Sequence, residues 1–265
     1  MVTRPQTGSR AIFPARPVPE PRARLFLFHH AGGSHLAFRD WARYLPQDWE
    51  ICLTDAPGRG VLADETPVGD TETLVRMLVD ELLLRLDRPF AFFGHSMGAL
   101  VAHELTLALA AARLPVPVWL GLSGRGSPRA VAERPTALHR LSSGQLRAEL
   151  ARMGGTPQHV LDDPELWGLL EPVIRADFGL VENWRPAVDR DLDVPVPFTV
   201  YGASRDPWAT PAELAGWAEY GERFRGCRVF EGGHFYFASR GGEIPSLVEQ
   251  EVRAALAGAP ARPRS

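Results

Sequence analysis

Ser96 is the residue of this chain best placed to attack a carbonyl carbon. It lies in Gly94-His95-Ser96-Met97-Gly98, after the apolar run Phe90-Ala91-Phe92-Phe93 and before a long helical pattern. A Gly-x-Ser-x-Gly sequence between a buried strand and a helix holds its serine on a sharp, strained turn, hydroxyl outward. The glycines are a steric requirement, because a Cβ at either position would crowd that turn. A serine hydroxyl is a poor nucleophile at neutral pH and needs a base, itself oriented by a third group. Two residues later in the chain supply both: Asp206, in Gly202-Ala203-Ser204-Arg205-Asp206, and His234, in Gly232-Gly233-His234-Phe235. Each follows an apolar strand pattern. Asp189, Asp191 and Asp193 compete for the acid, but they precede their strand and so fall at the wrong end of a parallel sheet. The chemistry this set would do is acyl transfer through a serine ester.

Attack on a carbonyl places negative charge on its oxygen, and fixed N–H donors must stabilise it. One is expected from Met97, just after the nucleophile, and the other from Ala31 in the loop His30-Ala31-Gly32-Gly33. His30, Gly32 and Gly33 are expected to line the substrate site, the glycines letting the backbone approach the acyl group. His29, His30 and His35 sit in one loop without a carboxylate partner in the sequence pattern, so they read as structural or pocket-lining residues and not as metal ligands. His95 and His103 read as packing residues, and Arg59 as a local pairing partner without a catalytic role.

These groups need a scaffold that presents strand ends side by side. Arg24–Phe28, Glu50–Thr54, Phe90–Phe93, Val116–Ser123, Phe198–Tyr201 and Arg228–Phe230 read as strands. Helical spacing intervenes at Ala37–Leu45, and again after Asp70 or Thr71, where Leu74, Leu78, Leu82 and Leu86 recur. A third helix, Ala99–Ala112, is apolar on nearly every face and belongs against the centre of a sheet. Alternating strands and helices predict an α/β fold with a mainly parallel, doubly wound sheet. The order serine, acid, histidine is that of the α/β-hydrolase fold. About 125–193 contains no strand but has helical patterns at Ser143–Arg152 and Pro164–Glu182. An insertion there lies above the carboxyl ends of the strands, where ligands bind, and is expected to be a lid. The domain is placed at 23–258, with a flexible N-terminal arm over 1–22 and a flexible tail over 259–265.

Composition narrows the function classes. Apolar content of 45% and charged content of 23% are those of a globular domain. No apolar run of membrane-spanning length and no secretory h-region occur, so neither a membrane protein nor a secreted one is expected. A net charge of −3 offers nucleic acid no general attraction, and no zinc-spaced Cys/His set is present. Cys52 and Cys227 are too few for a disulfide framework and read as buried strand residues. A cytoplasmic enzyme without metal or organic cofactor is expected.

With its motifs placed, the chain resembles the type II thioesterases of polyketide and nonribosomal peptide pathways, free-standing α/β-hydrolases that hydrolyse acyl groups from carrier proteins. The resemblance rests on His30-Ala31-Gly32-Gly33-Ser34, Pro57-Gly58-Arg59-Gly60, Gly94-His95-Ser96-Met97-Gly98-Ala99-Leu100, Ser123-Gly124-Arg125, Arg175-Ala176-Asp177-Phe178 and Gly232-Gly233-His234-Phe235-Tyr236-Phe237. It implies Ser96 as nucleophile, His234 as base, Asp206 as acid, and acyl carrier protein domains as partners. His29 stands where the family usually has proline, and Val61-Leu62 where an arginine is common. Both departures bear on substrate preference. Carrier proteins are usually acidic, and Arg125, Arg129, Arg134, Arg140, Arg147 and Arg152 outnumber Glu133 and Glu149 across 125–153, so a basic docking face is one expectation. Charge compensation by the acidic stretch that follows is the other. A carboxylesterase or lipase, or an acyltransferase, would use the same triad. A non-catalytic binding protein of this fold would ordinarily lack one of its members.

Overall fold

The computed structural model describes residues 11–132, 137–186 and 191–258. Seven strands form one sheet in the order β1-β3-β2-β4-β5-β6-β7: β1 Ile12–Pro14, β2 Ala23–Phe28, β3 Trp49–Thr54, β4 Phe90–His95, β5 Leu120–Ser123, β6 Phe198–Ala203 and β7 Phe224–Phe230. Every pairing is parallel except that of β1 with β3. β4, which carries the elbow, is therefore the central strand. β2 pairs with β3 on one side and with β4 on the other. The chain thus reverses its direction of winding between β2 and β4, and a crevice opens above their carboxyl ends at such a point.

Period-2 alternation assigns the strand residues to the two faces. Phe26 and Phe28 of β2 and Phe90 and Phe92 of β4 join one core, whereas Leu25, Leu27, Ala91 and Phe93 join the other. On the first face lie α1, Thr71–Leu82, and α2, Met97–Ala111. Asp70 caps α1 by accepting the Thr73 N–H, and Leu74, Leu78 and Leu82 are buried as their spacing predicts. α2 is buried along almost its whole length. The second face is covered by α8, Glu243–Gly258, through Ile244, Val248 and Val252, and by Phe38, Trp41 and Leu45.

Three local differences from the sequence reading have physical causes. The predicted helix over Ala37–Leu45 is a pair of 3₁₀ turns, His35–Ala37 and Trp41–Arg43. The turn that joins them, closed by the Trp41 N–H donating to the Phe38 carbonyl at 3.0 Å, brings the Phe38 and Trp41 rings together, 5.0 Å between centroids, in a segment that Pro46 cuts short. β5 runs only from Leu120, although bonding to β4 starts at Val118, whose N–H donates to the Phe90 carbonyl at 2.7 Å, just after Pro115 and Pro117, which cannot donate to a ladder. Part of the expected arm is also sheet: β1 pairs with β3 from Ile12 to Pro14, Ile12 is fully buried, and Arg16 donates to the Ala42 and Pro46 carbonyls. Residues 1–10 and the expected tail at 259–265 lie outside the described residues. Cys52 is buried as expected, whereas Cys227, on the edge strand β7, is only half-buried.

Between β5 and β6 the chain builds α3 Pro128–Ala132, α4 Ser143–Met153, α5 Gln158–Asp162 and α6 Pro164–Asn183. Leu146, Leu150, Leu161, Trp167, Ile174 and Phe178 form a small core of their own within this insertion. Pro211–Ala215, after β6, is α7. Among the described residues no helix is long and apolar enough to cross a membrane.

Candidate active site

Ser96 stands between β4 and α2 with φ 57° and ψ −113°, one of two described non-glycine residues at positive φ. Its N–H donates to the Ser123 carbonyl at 2.7 Å, which ties the elbow to β5. The two glycines are needed for close backbone contact. A Cβ on Gly94 would fall 2.0 Å from the Gly98 carbonyl oxygen, and one on Gly98 would fall 2.0 Å from that of Phe28. The elbow is thereby pressed against the end of β2, where the His30–Gly33 loop begins.

Asp206 and His234, from the loops after β6 and β7, meet as a buried pair. Asp206 Oδ2 lies 2.7 Å from His234 Nδ1, while Oδ1 accepts the Trp208 and Ala209 N–H groups. Such bonds fix the carboxylate and hold the imidazole in the tautomer whose Nε2 is free to accept a proton. His234 and Ser96 line the same two cavities. One, of about 80 Å³, is walled by Gly124, Leu138, Met153, Phe178 and Trp208. The other, of about 20 Å³, is lined in addition by His30 and Ala31. Helices α4 and α6 supply Met153 and Phe178, so the insertion stands over the serine. Of the competing acids, Asp191 and Asp193 lie in the segment before β6, where Asp191 caps the Asp193 N–H. Asp189 lies outside the described residues.

The histidines divide by surroundings. His95, fully buried, packs its ring 4.8 Å from that of His234 and bonds the Ser123 hydroxyl, which reaches Tyr236 OH. Burial, then the neighbouring His234 and His30, hold its pKa well below the usual imidazole value. His30 stacks edge-on against Phe235 at 4.8 Å, and its buried Nδ1 has no hydrogen-bond partner among the described residues. Burial is the main cause that pulls its pKa down to about 3. His29 bonds the His30 carbonyl through Nδ1 and accepts the Ala56 N–H through Nε2. His35 does have a carboxylate partner, which the sequence did not reveal: Asp55 takes both its N–H and its Nδ1 at 2.8 Å. His103 packs against Trp217.

The donor loop itself departs from the sequence reading. Ala31 faces the cavity with Ser96, whereas Gly32 and Gly33 do not line it. Gly32 N–H is taken by Asp177 Oδ2 at 2.7 Å, and a Cβ on Gly33 would strike the His30 ring at 2.8 Å. Met97 N–H, in the first turn of α2, has no acceptor within the helix and points out of its N-terminus. Arg59 pairs locally as expected, donating to the Ala56 and Pro57 carbonyls at 3.2 and 3.3 Å, but it also reaches well beyond its own turn. Its guanidinium bonds Asp177 of α6, 118 residues away, through both nitrogens. Asp177 belongs to one of the motifs read from the sequence, but nothing in the spacing linked it to Arg59 or to Gly32. The arginines proposed for docking also scatter: Arg125 is buried with its guanidinium over Trp184, Arg147 stacks on Trp167, and Arg152 pairs with Glu149. Arg134 and Glu133 lie outside the described residues, and Arg129, Arg140 and Arg152 are exposed.

A strained elbow serine on the central strand of a mostly parallel sheet, with an Asp–His pair delivered from later strand ends, is the arrangement of an α/β-hydrolase. The chain belongs to the thioesterase domain family, whose pattern it matches over residues 23–251, and so is a hydrolase acting on thioesters. It is 31% identical to the gramicidin S biosynthesis protein GrsT of Aneurinibacillus migulanus over 89% of this chain and 91% of that one. Its fold is similar to that of BorB, a type II thioesterase from the borrelidin biosynthetic cluster, with a TM-score of 0.82 at 31% identity over 93% of this chain and 99% of that one. RedJ, a thioesterase from the prodiginine biosynthetic pathway in Streptomyces coelicolor, superposes with a TM-score of 0.79 at 32% identity, covering 89% and 91% of the two chains.

Proposed function

We propose that this enzyme hydrolyses acyl groups from the phosphopantetheine arm of acyl carrier protein domains in polyketide or nonribosomal peptide biosynthesis, through an acyl-Ser96 intermediate. The observation that carries the reading is the buried Asp206–His234 bond of 2.7 Å opening on the same cavities as Ser96. In the first half-reaction Ser96 Oγ attacks the thioester carbon while His234 Nε2 takes its proton, and the N–H groups of Met97 and Ala31 hold the oxyanion. The carbon–sulfur bond then breaks, and His234 returns the proton to the departing thiol. In the second half His234 removes a proton from water, the hydroxide adds to the acyl-serine, and a carboxylic acid leaves as Ser96 is reprotonated. Throughout, Asp206 holds the imidazole and stabilises its protonated form. No metal or organic cofactor enters these steps.

The insertion over about 125–193 acts as the lid of a single domain that begins with β1. The chamber beside Ser96 and His234 is small, about 80 Å³, which suits a short acyl chain. A cytoplasmic location beside the synthase goes with this reading. The test is a panel of acyl-carrier thioesters graded by length and branching, assayed beside matched oxygen esters. Short acyl thioesters should turn over fastest, at least about tenfold above the oxygen esters. Equal or faster turnover of the oxygen esters would identify a carboxylesterase instead.

A further inference from the structure

The loop that carries Ala31 is a turn whose middle is gripped from outside. Gly33 N–H donates to the His30 carbonyl at 3.0 Å, so His30 to Gly33 form a β-turn with Ala31 and Gly32 at its centre. A φ of +72° at Gly32 makes it a type II turn. Types I and II differ by rotation of the central peptide, and the N–H of that peptide is not used by the turn's own bond. Here it belongs to Gly32 and is bound by Asp177 Oδ2 at 2.7 Å. Arg59 completes the grip: Nη1 reaches Oδ2 at 2.5 Å, Nη2 reaches Oδ1 at 2.7 Å, and Nη1 also donates to the Gly33 carbonyl at 3.2 Å. Asp177 is 1% exposed and Arg59 7%. A bidentate, buried pair of this kind has a fixed orientation that a solvated carboxylate lacks.

We propose that Asp177 is a positioning residue for the reaction: by binding the Gly32 N–H it locks the central peptide of the turn and aims the Ala31 N–H at the oxyanion, with Arg59 fixing the carboxylate. This rests on the reading of Ala31 as an oxyanion donor. Asp177 sits on α6 beside Phe178, so the insertion reaches the reacting centre through a hydrogen bond as well as through the cavity wall.

The test compares the full-length enzyme with Asp177→Ala and Asp177→Asn, all rates being normalised to active sites titrated to completion with a fluorophosphonate, below each variant's melting temperature. An acyl-pantetheine thioester gives kcat and KM, and an alkyl boronic acid, whose tetrahedral serine adduct places an oxygen where the oxyanion forms, gives an inhibition constant. Since donors to an oxyanion act in the transition state, Asp177→Ala should lower kcat by about 10- to 100-fold with KM within about twofold. Boronate affinity should fall by a similar factor. Asp177→Asn keeps an oxygen that can accept the Gly32 N–H and should recover part of both, at a loss of roughly 3- to 10-fold. A pair with only a structural role would lower the melting temperature and leave kcat and boronate affinity per active site within twofold of wild type, and that result overturns the proposal. If Asp177→Ala does not fold, the same criterion applied to Asp177→Asn decides. A wild-type enzyme that the boronate fails to inhibit would instead strike the acyl-serine reading itself.

Discussion

Ser96 keeps its conformation because its neighbours leave no other. A non-glycine residue at φ 57°, ψ −113° is strained by on the order of 1–3 kcal/mol and persists only where packing over-determines it. Gly94 and Gly98 provide that packing, each with backbone where a Cβ would stand. Gly94→Ala should therefore cost more than about 3 kcal/mol, read as loss of soluble protein or a large fall in the urea midpoint, because the obstacle is main chain and not a flexible side chain. A variant within about 1 kcal/mol of wild type would show that the elbow relaxes. The meeting of Asp206 with His234 was legible in the sequence because each side chain follows its own apolar strand, and parallel strands put such loops on one rim. Arg59 and Asp177 gave no such signal. Their bond joins segments 118 residues apart, and an arginine in a Pro-Gly-Arg-Gly turn looks the same whether it serves its own turn alone or a distant helix as well.

The strands and the two long helices of the sheet announced themselves through their periods, since Leu74, Leu78 and Leu82 or Phe90 and Phe92 report one face directly. Segments that owe their form to a partner were harder to read. β1 is three residues long, ends in Pro14 with Pro17, Pro19 and Pro21 close behind, and becomes a strand only because β3 offers it an edge. Its anchoring is tested by Ile12→Ala, which removes a fully buried side chain and should cost roughly 2–5 kcal/mol in chemical denaturation while leaving the rate per folded molecule unchanged. A loss below about 0.5 kcal/mol would mean that 11–14 contributes little to the domain. The 3₁₀ turns at His35–Ala37 and Trp41–Arg43 likewise answer to ring packing on the sheet, which a helical period of apolar residues does not distinguish from an α-helix.

For the molecule as a whole, the buried imidazoles make stability depend on pH. His29, 3% exposed, has its pKa lowered to about 3, first by burial and then by Arg59, against the attraction of Asp55 and with His35 adding repulsion. Unfolded, it titrates near 6.5. Between those values the unfolded chain binds a proton there that the folded chain does not, so stability is complete above about pH 6.5 and falls as the pH drops towards 3, by on the order of 4 kcal/mol for this group. His29→Gln, which keeps an acceptor for the Ala56 N–H, should flatten the fall in melting temperature between pH 7 and pH 4, and an unchanged slope would assign the acid sensitivity elsewhere. The proposed catalysis also draws on the entire fold, because β4, β6, β7 and the loop after β2 would each deliver one part of the site. Rapid quenching of the enzyme with an acyl-pantetheine thioester, followed by peptide mass spectrometry, tests whether those parts act together as proposed. The acyl mass should appear within the first turnover on the peptide containing Ser96, and Ser96→Ala, folded by circular dichroism, should carry no acyl group and lose about 10⁵-fold or more in kcat. Acyl mass on another residue, or substantial turnover by Ser96→Ala, would contradict the account.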